Sequence, residues 1–334
     1  MKIVAFGEVM MRMMPPDHKL LTQSDTLEYL FTGTGVNVLS GLYQMQNETY
    51  LCTVLPDHAI GQAAAATIRK LGIHDDYLHF KGNHMGIYFL EKGFGVRPSR
   101  VTYLNRSASS FSQAELDDFD IDEILNGMDA IHICGIALAI NENTRKLALA
   151  FAKKAKEKKI DVIFDCNYRP SLWGSGNEKL AKQTYQEMLT QSDIVFAGEK
   201  DATLMFGITS EHDMNSLDYQ QDILSKFRKM FDIRVIAGTH RDTDTGSLQG
   251  YLLNEKGFYQ SRVHTFDVYD RIGGGDAFAA GMIHALYHME DASTQVEYAT
   301  CSGVLGHTTY GDSPVLSKQD ILYYMEHGKS DVIR

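Results

Sequence analysis

The sequence is poor in cysteine and has no long hydrophobic run. Its four cysteines stand far apart and form no C-x-x-C pair, which argues against a disulfide framework or a zinc site and favours reduced thiols packed in a core. The first 14 residues contain only short apolar stretches, interrupted by Glu8 and Arg12, so they predict neither a signal peptide nor a membrane-spanning helix. A cytoplasmic protein with no membrane partner is therefore expected.

An excess of basic charge is also lacking. Lys plus Arg number 32 against 43 Asp plus Glu, and the formal net charge is −11. A chain of this charge has no general attraction for nucleic acid or for an anionic membrane. An anionic small-molecule ligand would need arginines placed locally in its site.

Two nucleotide-binding fingerprints are missing. No segment fits GxxxxGK[ST], which argues against a P-loop kinase. The pair Gly33 and Gly35 is followed by Val38 where a dinucleotide fingerprint has its third glycine. An NAD-dependent oxidoreductase is therefore disfavoured.

The chain does contain short apolar segments that alternate with amphipathic ones. Strands are predicted at Lys2–Phe6, 129–133, 161–164, 193–196 and 234–237. Residues 143–159 predict a helix, because apolar side chains recur on one face against many lysines. This alternation predicts a doubly wound α/β fold with a mostly parallel sheet flanked by helices. Ligands of such folds bind beyond the carboxyl ends of the strands.

Two segments, 15–31 and 84–106, interrupt this rhythm. The second contains strand candidates at 86–90 and 101–104, joined through Gly93, Gly95 and Pro98, which predicts a β-hairpin with a long turn. We expect both segments to form a small β-sheet lid inserted into an α/β core of residues 1–14, 32–83 and 107–334. The exposed face of the lid is the expected surface for a homo-oligomer.

The segment DRIGGGD at 270–276 is the strongest functional signal. Backbone N–H groups of consecutive glycines can converge on an anion, and the N-terminus of the helix predicted to follow adds partial positive charge. Asp276 would repel a phosphate, but it suits a base that accepts a proton from an attacking hydroxyl. The segment alone leaves open a simple glycine turn in which Asp276 caps the helix.

With this loop, the opening KIVAFGE and the segment TGTGVNVLS at 32–40, the chain resembles the ribokinase family, also called the PfkB carbohydrate kinases. The resemblance spans nearly the whole chain and implies a ribokinase-like fold. It implies Asp276 as the catalytic base and places Gly33 and Asn37 at the sugar. Thr32 departs from the first glycine of the family's early motif. The implied anion hole comprises Gly273, Gly274 and Gly275, with Arg271 helping to neutralise charge.

Three segments, DRIGGGD, YLNRS at 103–107 and DCNYRPSLW at 165–173, look like the 2-dehydro-3-deoxygluconate kinases within that family. Arg169 follows a predicted strand, so it falls at the ligand edge of the sheet, where a guanidinium could clamp a carboxylate. The alternatives are surface or salt-bridged arginines, and tyrosines that only pack the lid. The resemblance implies a substrate site formed by Tyr88, Tyr103, Arg106, Arg169 and Asp312, although Asp312 alone reads as an ordinary loop aspartate.

The resemblance also implies ATP and Mg²⁺. In AGEKD at 197–201, Gly198 and Asp201 stand at the Asn and Glu positions of the family's NxxE motif, so Asp201 is expected to act on the metal through water. The segment AGT at 237–239 stands where many members carry Lys-x-Gly, and backbone contacts to ATP are expected at Gly238 and Thr239 and at Gly273 and Gly275. The loop 240–248 is expected near the phosphates or ribose.

These features predict an ATP-dependent kinase for the primary hydroxyl of an acidic keto sugar, with 2-dehydro-3-deoxy-D-gluconate converted to its 6-phosphate. The nearest alternative is another acceptor of the same family, such as fructose, tagatose phosphate or a nucleoside. A noncatalytic sugar sensor is a further alternative, against which the glycine loop and Asp276 argue together.

Overall fold

The computed structural model describes residues 1–242 and 245–330. The strands are β1 (Lys2–Phe6), β2 (Met10–Met14), β3 (Glu28–Thr32), β4 (Glu48–Leu55), β5 (Leu78–Phe80), β6 (Gly86–Glu91), β7 (Arg100–Leu104), β8 (Ala130–Cys134), β9 (Asp161–Asp165), β10 (Ile194–Phe196), β11 (Val235–Asp242), β12 (Ser247–Leu253), β13 (Phe258–Gln260) and β14 (His264–Thr265). The helices are α1 (Thr34–Gln44), α2 (Ala59–Lys70), α3 (Ile121–Ile124), α4 (Gly135–Ile140), α5 (Glu142–Glu157), α6 (Pro170–Trp173), α7 (Glu178–Gln191), α8 (Leu217–Met230), α9 (Gly274–His288), α10 (Ala292–Gly306) and α11 (Lys318–His327).

The large sheet has the strand order β13-β12-β11-β10-β9-β8-β1-β4-β5, with β14 paired to β12. All neighbours from β11 to β5 run parallel, whereas β12 is antiparallel to its partners. The predicted α/β fold and its five predicted strands are confirmed. The sequence analysis did not predict strand β4, although this strand pairs with β1 within the parallel region.

The two faces of the large sheet carry separate hydrophobic cores. Along β8, Ile131 and Ile133 belong to one core and Ala130 to the other, as alternating strand side chains require. Helix α5 lies on the first face and buries Leu147 and Phe151; its N-terminus is capped by Asn141, whose side chain accepts a hydrogen bond from the Thr144 N–H at 3.0 Å. Helices α1, α9 and α10 cover the second face.

The small sheet, called the lid from here on, has the strand order β3-β2-β6-β7. The predicted hairpin is confirmed as β6 and β7, which pair antiparallel. The predicted boundary at residue 14 is wrong, because Met10–Met14 pairs with β3 and β6 and so belongs to the lid and not to the core. The sequence of this short strand carries no information about which of the two sheets it joins.

The predicted loop 240–248 is shorter than expected, because β11 continues to Asp242 and β12 begins at Ser247. Thr243 and Asp244 within it lie outside the described residues. Among the described residues, no helix is both long enough and apolar enough to cross a membrane.

Candidate active site

A cavity of about 870 Å³ opens where the parallel strands end, between the large sheet and the lid. Residues that end or follow β1, β8, β9 and β10 line it, and Tyr88 and Tyr103 line it from the lid. Of the residues predicted from the sequence, the lining includes Gly33, Asn37, Tyr88, Tyr103, Arg106, Arg169, Asp201, Gly238, Thr239, Arg271, Gly273, Gly275, Asp276 and Asp312. The fold therefore brings these distant segments into one site, at the edge of the sheet where ligands were expected.

The glycine loop forms the start of α9. Gly273 is the N-cap with a φ of 88°, a left-handed conformation that favours glycine, and among the described residues no side chain caps this helix end. Asp276 lies in the first helical turn and does not cap the helix, so the simple-cap interpretation is wrong. Gly274 is buried against the ring of His307 and is not among the lining residues. The uncapped helix end offers backbone N–H groups to an anion.

Asp276 is held by Asn37. The Asn37 Nδ2 donates to Asp276 Oδ2 at 2.7 Å, while its Oδ1 accepts from the Thr32 and Ser313 hydroxyls at 3.2 and 3.0 Å. Those two donors fix the orientation of the Asn37 amide, so its N–H points at the carboxylate. Thr32, the departure from the family glycine, thus has a role that the sequence did not reveal.

The pKa of Asp276 lies well above its usual range. Burial is the main cause, and the charges of Asp165 and Asp312 add to it, while the Asn37 hydrogen bond and the Arg169 charge act in the opposite direction. A carboxylate made more basic in this way is a better proton acceptor for an alcohol. The environment fits the predicted catalytic base.

The lid side of the cavity is built from Tyr88, Tyr103 and Asp312. The Tyr88 hydroxyl donates to Asp312 Oδ2 at 2.9 Å, and the two tyrosine rings lie 5.8 Å apart. Asp312 is buried and forms an ion pair with Arg12 of β2. The lid is therefore joined to the loop after α10 through this carboxylate.

The two arginines predicted to hold a carboxylate differ in their environment. The Arg106 Nε donates to Glu8 Oε2 at 2.8 Å, and its guanidinium lies over the Tyr103 ring at 5.3 Å. Arg169 is exposed to the cavity, and in residues 1–242 and 245–330 it forms no ion pair with an acidic side chain. Arg169 is thus the arginine whose charge is available to a bound anion, whereas Arg106 shares its charge with Glu8.

Asp165 and Asp201 are two acidic residues that line the cavity at the end of β9 and after β10. Burial and then the charge of Asp201 raise the pKa of Asp165 to about 7. Burial also raises the pKa of Asp201, whose Oδ2 accepts from the Gly198 N–H at 2.8 Å. A divalent cation bound between these two carboxyl groups would favour their ionised forms. Carboxylate oxygens are also the ligands that Mg²⁺ prefers.

Asp165 and Glu8 are the charged lining residues that the sequence analysis missed. Asp165 is the last residue of β9 and Glu8 follows β1 by two positions. The rule that ligands bind beyond the carboxyl ends of the strands could have found both. Their roles as partners of Asp201 and Arg106 could not have been found, since the sequence separations exceed 30 residues.

Comparisons with known proteins agree on one family. A model of the pfkB family carbohydrate kinases matches residues 1–318. A crystal structure from Enterococcus faecalis, provisionally named a 2-keto-3-deoxygluconate kinase, has a TM-score of 0.95 and 39% sequence identity, covering 100% of this chain and 98% of that one. The 2-dehydro-3-deoxygluconokinase of Thermotoga maritima has a TM-score of 0.92 and 32% identity, covering 98% of each chain. The 2-dehydro-3-deoxygalactonokinase of Haloferax volcanii is 24% identical over 334 residues, covering 100% of this chain and 99% of the relative.

Proposed function

Because the chain belongs to the pfkB family of carbohydrate kinases, we propose that it transfers the γ-phosphoryl group of ATP to the primary hydroxyl of 2-dehydro-3-deoxy-D-gluconate or a close acidic keto sugar. The observation that carries the proposal is that the α9 N-terminus, Asp276 and Arg169 line one cavity, and that within the part of the chain that the structure describes no side chain caps that helix end and no acidic side chain pairs with Arg169. The relatives named above support the choice of acceptor. Sugar kinases of this family use ATP, which is the phosphoryl donor in this proposal.

In the proposed reaction, the N–H groups at 273–275 bind the γ-phosphate and Arg271 neutralises part of its charge. Asp276, oriented by Asn37, accepts the proton of the attacking hydroxyl as the new O–P bond forms and the bond to ADP breaks. Phosphoryl transfer has a loose transition state, so the placement of these groups contributes more than the strength of the base. The lid covers the sugar and excludes water, which limits hydrolysis of ATP.

Asp165 and Asp201 are the residues proposed to hold Mg²⁺, directly or through bound water. The ion would neutralise phosphate charge when bound. The raised pKa of both carboxyl groups supports this assignment, because a nearby cation would favour their ionised forms. The sequence-based expectation named Asp201 alone.

A panel of acceptors tests the proposed function. With purified protein, Mg²⁺ and ATP, 2-dehydro-3-deoxy-D-gluconate is expected to support phosphorylation with kcat/KM at least about tenfold above that of fructose, because a charge-assisted hydrogen bond to Arg169 contributes roughly 1.5–3 kcal/mol. A coupled assay of ADP release measures both rates. Equal rates, or turnover of fructose alone, would contradict the acidic acceptor, and no turnover of any sugar would contradict the kinase.

Two glycine substitutions in one loop test the anion hole. Gly273→Ala is expected to destabilise the fold by about 2 kcal/mol or more, because the φ of 88° disfavours a side chain and the new methyl group would overlap the Asp312 carbonyl oxygen. Gly275→Ala meets no atom within 4 Å and lies in a helix, so stability should be unchanged or raised by about 0.5–1 kcal/mol.

The second variant separates folding from binding. Since Gly275 lines the cavity, its added methyl group occupies the space proposed for phosphate, and kcat/KM for ATP should fall about tenfold. Thermal unfolding and steady-state kinetics measure the two effects. A Gly275→Ala protein with unchanged kinetics would place the phosphate elsewhere.

Cytoplasmic location and assembly into a homo-oligomer through the lid stay predictions. The exposed apolar side chain of Leu104 in β7, which is not among the cavity-lining residues, supports the second of these.

A further inference from the structure

Arg12 is a guanidinium with no solvent exposure in the middle of the lid strand β2. A buried charge of this kind is strongly unfavourable unless it is paired and hydrogen-bonded. Arg12 is not among the residues that line the cavity, so it does not reach the proposed substrates. Arg12 can therefore affect the site only through the residues that it contacts.

The guanidinium joins two loops of the α/β core. Its Nη1 pairs with Asp312 Oδ1, and its Nη2 lies 3.3 Å from Asp270 Oδ2. Met14 Sδ also accepts from Nη2 at 3.1 Å, whereas Nε is buried without a partner among the described residues. The planar guanidinium of Arg12 binds two carboxylates on separate loops with different nitrogens and so fixes their relative position. The single ammonium group of a lysine cannot do this.

Each of the two carboxylates belongs to a segment of the proposed catalytic site. Asp270 opens the glycine loop, and its Oδ1 accepts from the Ile272 N–H at 3.2 Å, just before Gly273. Asp312 lines the sugar side and accepts from the Tyr88 hydroxyl. The two loops also touch directly, because the Asp312 carbonyl oxygen lies where a Gly273 side chain would be.

We propose that Arg12 is a positioning residue of this kinase. Through Asp270 and Asp312, Arg12 makes the positions of the glycine loop (270–276) and of the loop that contains Asp312 (308–313) depend on the position of the lid. The proposal rests on the proposed function for its kinetic consequence only. A bound sugar that places the lid through Tyr88 thereby also places the backbone N–H groups at 273–275. Phosphoryl transfer depends on such placement, and misplacement by about 1 Å lowers turnover about 10²-fold.

Lys92 offers a matched control. It follows β6 in the lid, and its Nζ lies 3.1 Å from the same Asp270 Oδ2, so it is a second cation on that carboxylate. Its other contacts are the rings of Tyr269 and Tyr310, and no contact with Asp312 is found among the described residues. Lys92→Met thus removes a lid cation without breaking the bridge between the two loops.

Amide hydrogen exchange of the unliganded protein tests the bridge without any substrate. In Arg12→Lys, the amides of 268–276 and of 308–313 are both expected to exchange about tenfold faster or more, while α5 stays at the wild-type rate. In Lys92→Met, 308–313 should stay at the wild-type rate. Wild-type exchange in either loop of Arg12→Lys would overturn the proposal.

Kinetics supply the second readout. Arg12→Lys is expected to lower kcat about tenfold or more and to change KM for ATP less than about threefold, because the loops are misplaced and the nucleotide contacts remain. If Arg12→Lys fails to fold, Arg12→Met combined with Asp270→Asn removes the Arg12–Asp270 pair as a neutral unit, leaves Asp312 hydrogen-bonded to Tyr88, and should show the same two effects. A kcat of Arg12→Lys within about twofold of wild type contradicts the role proposed for Arg12. A wild-type protein without kinase activity contradicts only the proposed kinase function.

Discussion

Asp276→Asn is expected to lower turnover by about 10²- to 10⁴-fold, the range of a general base that acts on the reacting hydroxyl. Asparagine has nearly the same shape and can still contact Asn37, so the loop should keep its geometry. An amide cannot accept the hydroxyl proton. Steady-state turnover at saturating ATP and sugar measures the loss.

The stability of this variant provides an internal check. Burial raises the pKa of Asp276, so the folded protein disfavours the charged carboxylate, and a neutral amide should leave the unfolding midpoint unchanged or higher at neutral pH. Asp218→Asn is the matched control, since Asp218 also lies in the first turn of a helix, α8, but is exposed. A folded Asp276→Asn protein with turnover close to that of Asp218→Asn would show that Asp276 is not the base.

Arg169→Ala should raise KM for the acidic keto sugar by about 10- to 100-fold and KM for ATP by less than about threefold. The physical reason is the loss of a charge-assisted hydrogen bond, which contributes roughly 1.5–3 kcal/mol when one partner is a bound carboxylate. Because Arg169 forms no ion pair within the described ranges, its removal breaks no salt bridge, and it takes away only the longer-range charge that lowers the pKa of Asp165 and Asp276. The effect on folding should be small.

Arg271→Ala is the matched control for this variant, because Arg271 is the other exposed arginine of the cavity and lies in the glycine loop. It should lower kcat and leave KM for the sugar nearly unchanged. Initial rates over a grid of sugar and ATP concentrations separate the two patterns. An equal rise of both KM values in Arg169→Ala would contradict the carboxylate role.

The local part of the proposed catalytic site could be predicted from the sequence, because it depends on consecutive residues. The segment 270–276 contains the glycine with positive φ, the helix N-terminus and Asp276 within seven positions. The residues that tune Asp276 are distant in the chain. Asn37 donates to it from α1, and Asp165 and Asp312 raise its pKa from two other segments.

Arg106 shows a different limit of prediction. Its segment YLNRS indicated a residue at the substrate, and the structure places it in the cavity. The sequence could not show that Glu8, 98 positions earlier, accepts a hydrogen bond from its Nε. Whether an arginine is free or already paired depends on which loops the fold brings together, and that decides how much of its charge a ligand meets.

The sequence by itself determined the alternation of strands and helices and the position of the glycine loop. These features follow from side-chain periodicity and backbone freedom, which act over a few residues. Only the tertiary structure decided that Met10–Met14 joins the lid, that Asn37 orients Asp276, and that Arg12 connects Asp270 with Asp312. Each is a contact between segments far apart in the chain, and its energy depends on burial and distance, which the order of residues does not contain.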